Sequence, residues 1–344
     1  MPVFIVVFTS LSEFLAGCWK TAMAKAGGCF FRIGYFLYTR TRVGYYYHQK
    51  EIKKAREKLE GADHSNTEPT VFNDLSILPI PMLLDNYAYL ITDRASNLSV
   101  VVDPGDPEPV QKVLTDLNIT PEAILITHKH WDHSGGNEAM KSAYPNVRIF
   151  GGAEDHVPNI TNGVVDGEKL TFGGLKFTVM FTPGHTVGHV VYHLEGHNFE
   201  APDCLFSGDH VFLSGCGRMF EGTPVTMLTS LDKMCELHDS TLIWPGHEYA
   251  TDNLEFACHV DNENSDAEEK LKWAKAKREQ KRPTCPSTVG DEKKYNPFLR
   301  TGEKSVLSQL GLVNMEDFSP PTDQVRAQAL GEIRERKDKF KYKL

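Results

Sequence analysis

Thr127-His128-Lys129-His130-Trp131-Asp132-His133 is the stretch on which the fold is read. It follows directly on the apolar run Ala123-Ile-Leu-Ile126. A strand ending there delivers the next side chains into a loop at a sheet edge, where a site is both rigidly held and open. Imidazole and carboxylate suit zinc and other first-row divalent ions. His128, His130, Asp132 and His133 fall within six residues. That is enough to give two ligands to each of two neighbouring metals, because alternate positions point in different directions. A lone His-x-His arises often by chance. The full His-x-His-x-Asp-His behind a strand is much rarer and reads as a metal site.

Three later segments repeat the geometry. Thr182-Pro-Gly-His185-Thr-Val-Gly-His189 follows the strand pattern 176–181, Phe206-Ser-Gly-Asp209 ends another, and Trp244-Pro-Gly-His247-Glu-Tyr249 ends a third. Each runs a strand into glycine, which lets the backbone turn tightly, and then presents one His or Asp. His185, Asp209 and His247 are therefore the candidates that complete the site. His189 reads as a brace for the His185 loop. His156, His193, His197, His210, His238 and His259 have no motif context and read as surface or core residues, and Cys216 as a packing residue.

The rest of the chain sets the frame. Its 344 residues, 40% apolar and 24% charged, suit a folded protein with a large core. Residues 1–60 carry ten Lys/Arg against four Glu, while the remainder carries 27 basic against 42 acidic residues. An acidic body lacks the basic footprint of a nucleic-acid binder, so no nucleic-acid partner is expected. Seven irregularly spaced cysteines without a Cys-x-x-Cys pair point to reduced thiols in a reducing compartment.

Short strand patterns at 77–80, 87–92, 98–102, 124–127, 147–150, 176–181, 190–194, 205–207 and 242–244 alternate with helical patterns at 107–117, 137–144 and 225–237. This grouping predicts an α+β fold, an αββα sandwich over residues 75–250. Helical patterns at 254–259, 267–281, 304–310 and 322–337 predict a helical C-terminal module over 251–344. Residues 61–74 read as a polar linker. Residues 1–60, apolar and aromatic but cut by Arg32, Arg40 and Arg42, read as an extension that associates with a membrane. The protein would then lie on the cytoplasmic face of that membrane; a mitochondrial transit peptide is the alternative.

On these motifs the sequence resembles the metallo-β-lactamase superfamily and, within it, the hydroxyacylglutathione hydrolases (glyoxalase II). Gly215-Cys-Gly-Arg-Met-Phe-Glu-Gly222, Tyr295-Asn-Pro-Phe-Leu-Arg300 and Arg334-Glu-Arg-Lys337-Asp continue the match, which runs from about residue 75 to the end. The stretch Leu37-Tyr-Thr-Arg-Thr-Arg-Val-Gly44-Tyr, before a charged helix pattern, resembles a membrane-associated branch of the family.

The resemblance implies that His128, His130 and His185 hold one metal, Asp132, His133 and His247 a second, and that Asp209 bridges them. It implies two divalent ions, zinc foremost, with iron or manganese as alternatives. Two cations sharing a carboxylate and a water would yield hydroxide near neutral pH. That hydroxide would attack a thioester carbonyl, with Asp132 orienting it. The implied substrate is an S-(2-hydroxyacyl)glutathione held by Arg218, Phe220, Tyr249, Arg334 and Lys337. Phe220 stands where the family often has Tyr, and Arg218 where it often has Lys. The alternatives are hydrolysis or dioxygenation of another glutathione derivative, and a membrane-tethered regulatory protein with weak activity.

Overall fold

Val100 and Val102 turn to one face of their strand and Val101 to the other, and all three are fully buried. Ala123 and Leu125 repeat the pattern against Ile124 and Ile126 in the neighbouring parallel strand. Strands apolar on both faces must be covered on both, which is what an inner sheet of a layered sandwich requires.

The computed structural model describes residues 28–314 and 318–340, with side chains from residue 33 onward. The chain divides into two compact units, residues 1–51 and 52–344. Two helices, α1 (Gly28–Arg40) and α2 (Arg42–Lys58), lie at its N-terminal end.

The larger unit is built on two sheets. The first is seven-stranded, ordered β1 (Thr70–Phe72), β2 (Leu75–Met82), β3 (Asn86–Asp93), β4 (Leu98–Val102), β5 (Ala123–Ile126), β6 (Arg148–Gly152) and β7 (Asn162–Val164). The second is six-stranded. It contains β8 (Lys169–Phe172), β9 (Leu175–Phe181), β10 (Val190–Leu194), β11 (Cys204–Gly208), β14 (Leu242–Pro245) and β15 (Ser287–Thr288). A small ribbon, β12 (Val211–Phe212) with β13 (Gly215–Cys216), stands apart. Between the two large sheets lie Tyr89, Leu125 and Phe150 from one side and Phe177, Tyr192, Phe206 and Trp244 from the other.

Helices α3 (Pro107–Asp116) and α5 (Asn137–Ala143) cover the outer face of the first sheet through Val110, Leu114 and Met140. Helix α6 (Pro224–Cys235) covers the second through Met234. The expected αββα layering is present. Burying residues of Phe or Leu size contributes roughly 1.5–3 kcal/mol each, so the inter-sheet layer dominates the stability of this unit.

Beyond the second sheet, α7 (Ala250–Val260), α8 (Ser265–Glu279), α9 (Val289–Tyr295), α10 (Lys304–Gln309) and α11 (Asp323–Phe340) form a helical region. Phe256, Phe298, Leu307, Leu330 and Ile333 pack there with Met227 and Leu231 of α6. The last helix is thereby laid along the edge of the sandwich.

Two expectations change. The membrane location expected of the protein does not hold: among the described residues no helix is long and apolar enough to cross a membrane. Helix α1 has 13 residues and ends on Arg40; at 1.5 Å per residue it reaches about 20 Å, short of the roughly 30 Å hydrocarbon core. The apolar stretch at 1–19 lies outside the described residues. Residues 61–74, read as linker, are tied down: β1 pairs with β2, and His64 and Ser65 are buried.

Candidate metal centre

The ends of five strands converge. β5 runs into His128, His130, Asp132 and His133, with a single helical turn, α4 (Trp131–Ser134), turning Asp132 and His133 back toward the sheets. β9 leads to His185, β11 to Asp209 and β14 to His247. Asp103 follows β4, and the β2–β3 turn carries Asp85 and Asn86. That turn is fastened to the His247 loop by Tyr87 N–H to the Gly246 carbonyl (2.9 Å) and Glu248 N–H to the Asp85 carbonyl (2.7 Å). Close approach is built in: a Cβ on Gly105 would lie 1.8 Å from the Asp132 carbonyl oxygen.

All seven predicted ligands come together, in two groups. In the first, His130 Nδ1 lies 2.9 Å from both His128 Nε2 and His185 Nε2, and His185 Nε2 lies 3.2 Å from Asp209 Oδ2. In the second, His133 Nε2 and His247 Nε2 are 3.3 Å apart, with Asp132 Oδ2 at 3.8 and 3.5 Å from them. Asp209 Oδ1 lies 3.2 Å from each of these two imidazoles. Asp209 therefore offers one oxygen to each group. Within each group one ligand atom per residue lies within 4.8 Å of the others. Tetrahedral bonds of roughly 2.0–2.1 Å place ligands roughly 3.4 Å apart, which is the spacing here.

The outer nitrogens fix the tautomers. His185 Nδ1–H donates to the Arg218 carbonyl (2.8 Å), His133 Nδ1–H to Asp103 Oδ2 (2.9 Å) and His247 Nδ1–H to Asp85 Oδ1 (2.8 Å). Thr127 Oγ1 donates to Asp103 Oδ2 (2.7 Å), which leaves it able to accept from His128 Nδ1–H (3.1 Å). Each of these four rings consequently turns an unprotonated Nε2 inward. Outer partners of this kind orient metal-binding imidazoles. Asp209 Oδ1, buried, has no hydrogen bond of its own, an acceptor left for a cation.

Electrostatics agree. Burial holds His128, His130 and His185 below the usual histidine range, so all three stay neutral. His133 and His247 are pushed the other way: burial opposes it, but Asp209 beside them prevails, and His247 rises to about 10. Asp132 is also pulled by burial toward neutrality, yet His133 and His247 hold it at about 2. The acidic side of the centre therefore demands positive charge, which two divalent cations would supply.

A cleft of about 300 Å³ opens beside the first group, lined by His185, Asp209, Phe220, Tyr249, Arg334 and Lys337. Arg218 lines it as well. Asp338 Oδ1 accepts from Arg218 Nε (3.1 Å) and Arg334 Nη2 (2.8 Å), and Arg334 Nη1 donates to the Cys216 carbonyl (3.1 Å). Lys337 Nζ donates to the Asp252 carbonyl. The Phe220 ring lies 5.3 Å from that of His185, and Tyr249 stacks on His247 at 4.6 Å. His189 stacks on His128 at 5.0 Å and pairs with Thr182 (3.0 Å), while His210 turns away to the Ser230 carbonyl (3.2 Å).

Asp85, Asn86 and Asp103 are absent from the sequence reading. Asp103 carried a usable signal, since Val101-Val-Asp103-Pro-Gly105 is one more strand running into a glycine turn with an acid at its end. Asp85 and Asn86 sit in an ordinary polar turn, and nothing local sets them apart.

Residues 82–247 match the metallo-beta-lactamase superfamily, the class that paired sheets with a His/Asp cluster at their strand ends define. Residues 248–340 match the hydroxyacylglutathione hydrolase C-terminus family. The hydroxyacylglutathione hydrolase of Synechocystis sp. is 38% identical over 268 residues, 77% of this chain and 100% of the relative. The cytoplasmic hydroxyacylglutathione hydrolase of Arabidopsis thaliana is 38% identical over 269 residues, 78% of this chain and 100% of the relative. The chain belongs to the hydroxyacylglutathione hydrolase (glyoxalase II) family. The compartment in the Arabidopsis relative's name also runs against the membrane and mitochondrial placements expected above.

Proposed function

We propose that this protein is a metal-dependent thioesterase that hydrolyses S-(2-hydroxyacyl)glutathione, of the D-lactoyl type, to glutathione and a hydroxy acid. The observation that carries the reading is the division of Asp209 between two groups of neutral imidazole and carboxylate. His128, His130 and His185 would hold one cation and Asp132, His133 and His247 the other, with zinc foremost and iron or manganese acceptable to the same donors. The bound ions would supply Lewis acidity and a water that ionises near neutral pH.

The chain's own residues do the rest. Asp132, ionised, accepts a hydrogen bond from the attacking water and so fixes its direction. Arg218, Arg334 and Lys337 gather positive charge in one cleft of an acidic protein, which suits the carboxylates of a glutathione moiety. Phe220 closes the apolar wall next to His185, and Tyr249 is held against His247 on the opposite side. The leaving group is a thiolate with a pKa of about 8.5, so no strong general acid is needed.

The test is turnover of S-D-lactoylglutathione and a panel of other glutathione thioesters by the full chain, beside His130→Ala. Metal-dependent hydrolysis lost in the variant is expected. No metal-dependent turnover of any thioester would overturn the assignment.

A further inference from the structure

Lys129 has no part in the chemistry above, yet it is among the most deeply buried side chains of the protein, with 0% exposure. A lysine is almost never fully buried unless its charge is paired. Its ammonium lies 3.3 Å from Asp155 Oδ1 and 2.6 Å from Glu221 Oε2; Asp155 is also 0% exposed and Glu221 16%. Placing a cation and two carboxylates out of water is costly, and such clusters are weak devices for stability alone.

What the cluster touches indicates its use. Asp155 Oδ2 accepts the Lys129 backbone N–H (2.7 Å), and Asp155 Oδ1 also accepts the Gly188 N–H (3.1 Å). Glu221 Oε2 accepts the Val187 N–H (2.7 Å). One ammonium thus ties together the His128–His130 loop, the His185 loop and the segment that bears Arg218 and Phe220. The fit is close: a Cβ on Gly188 would lie 2.3 Å from the Asp155 nitrogen, and the Gly222 N–H donates to the Gly184 carbonyl at 2.9 Å. The second group is secured by other residues, Asp103 for His133, Asp85 for His247 and Asn86 for Asp132.

We propose that Lys129, with Asp155 and Glu221, is a positioning clamp for the first metal group alone. It sets the His185 loop against His128 and His130 so that their three nitrogens converge. This rests on reading the two groups as metal sites.

The experiment uses the metal-free full chain, titrated with zinc against a chromophoric chelator. Parent, Lys129→Met and Glu221→Gln are compared in a His247→Ala background, which leaves the first group, and in a His185→Ala background, which leaves the second. Glu221→Gln keeps the acceptor for Val187 N–H and the Lys129–Asp155 pair, so it remains informative where Lys129→Met does not fold. Zinc affinity of the first group should fall at least tenfold in Lys129→Met and severalfold in Glu221→Gln, with the second group unchanged. In the metal-free protein, amide exchange should rise in the peptide spanning 184–190 ahead of the rest of the chain. Unchanged first-group affinity, equal loss at both groups, or a uniform rise in exchange would overturn the clamp. A parent chain that takes up no zinc would instead overturn the metal reading on which it rests.

Discussion

Asp103 accepts three hydrogen bonds from the metal loop: Thr127 N–H on Oδ1 (2.8 Å), and Thr127 Oγ1–H (2.7 Å) and His133 Nδ1–H (2.9 Å) on Oδ2. The carboxylate is buried, and the residue is held at φ 49°, a left-handed conformation that a following Pro-Gly turn sustains. It links the end of β4 to two of the proposed ligands, His133 directly and His128 through Thr127.

Asp103→Ala should therefore weaken divalent-metal binding about 10–100-fold, the usual effect of removing a partner that orients a liganding imidazole. Zinc titration of the metal-free variant measures it, with circular dichroism confirming the fold. Parental affinity would show that His133 holds its ring without this partner.

Gly105→Ala is predicted to be damaging for a steric reason alone. The added methyl would overlap the Asp132 carbonyl oxygen at 1.8 Å, and both partners are backbone. The loop carrying Asp132 and His133 must shift, with a loss of about 2–4 kcal/mol in stability. Urea unfolding of the metal-free protein provides the number, and a change below about 0.5 kcal/mol would contradict the packing described.

In the cleft, Arg334→Ala should raise KM for S-D-lactoylglutathione tenfold or more with little change in kcat, because it removes binding that is uniform along the reaction. Phe220→Tyr restores a hydroxyl near the thioester and should lower KM severalfold, the equivalent of one hydrogen bond of about 1 kcal/mol. Steady-state kinetics test both, and unchanged KM in Arg334→Ala would place the peptide elsewhere.

Stability should also depend on pH through His64. Burial pushes it down to about 4, against the opposing pull of the Asn86 carbonyl that accepts its Nε2–H. The unfolded chain, with a histidine pKa near 6.5, binds the proton more readily between pH 6.5 and 4. The contribution of neutral His64 is thus complete above pH 6.5 and is lost as pH falls through that window, by about 2 kcal/mol at pH 5. Comparing the drop in unfolding free energy from pH 7 to 5 in parent and His64→Gln isolates it. Equal drops in the two proteins would contradict the assignment.

Much of this architecture is legible from the chain because its signals are local. Val100-Val-Val102 and Ala123-Ile-Leu-Ile126 announce buried strands, and the glycine turns after β9, β11 and β14 announce what those strands deliver. Elements without such signals stayed hidden. β7 (Asn-Gly-Val) and β15 (Ser-Thr) are short and owe their form to pairing with β6 and β14, and α9, with three charged residues in seven, gains its place from Val289 and Tyr295 in the core. The partners of the metal loop were hidden for a related reason. Asp85 lies 162 positions from His247 along the chain, and only the folded sheet brings the two within 2.8 Å.

The most direct test of the two-cation account is the zinc dependence of turnover. Metal-free full-length protein would be titrated with zinc while hydrolysis of S-D-lactoylglutathione and bound metal are followed together. Activity that rises to a plateau at two equivalents, with Asp209→Asn retaining less than about one hundredth of it, is the predicted result. Full activity at one equivalent or without metal, or an Asp209→Asn protein as active as the parent, would contradict the account.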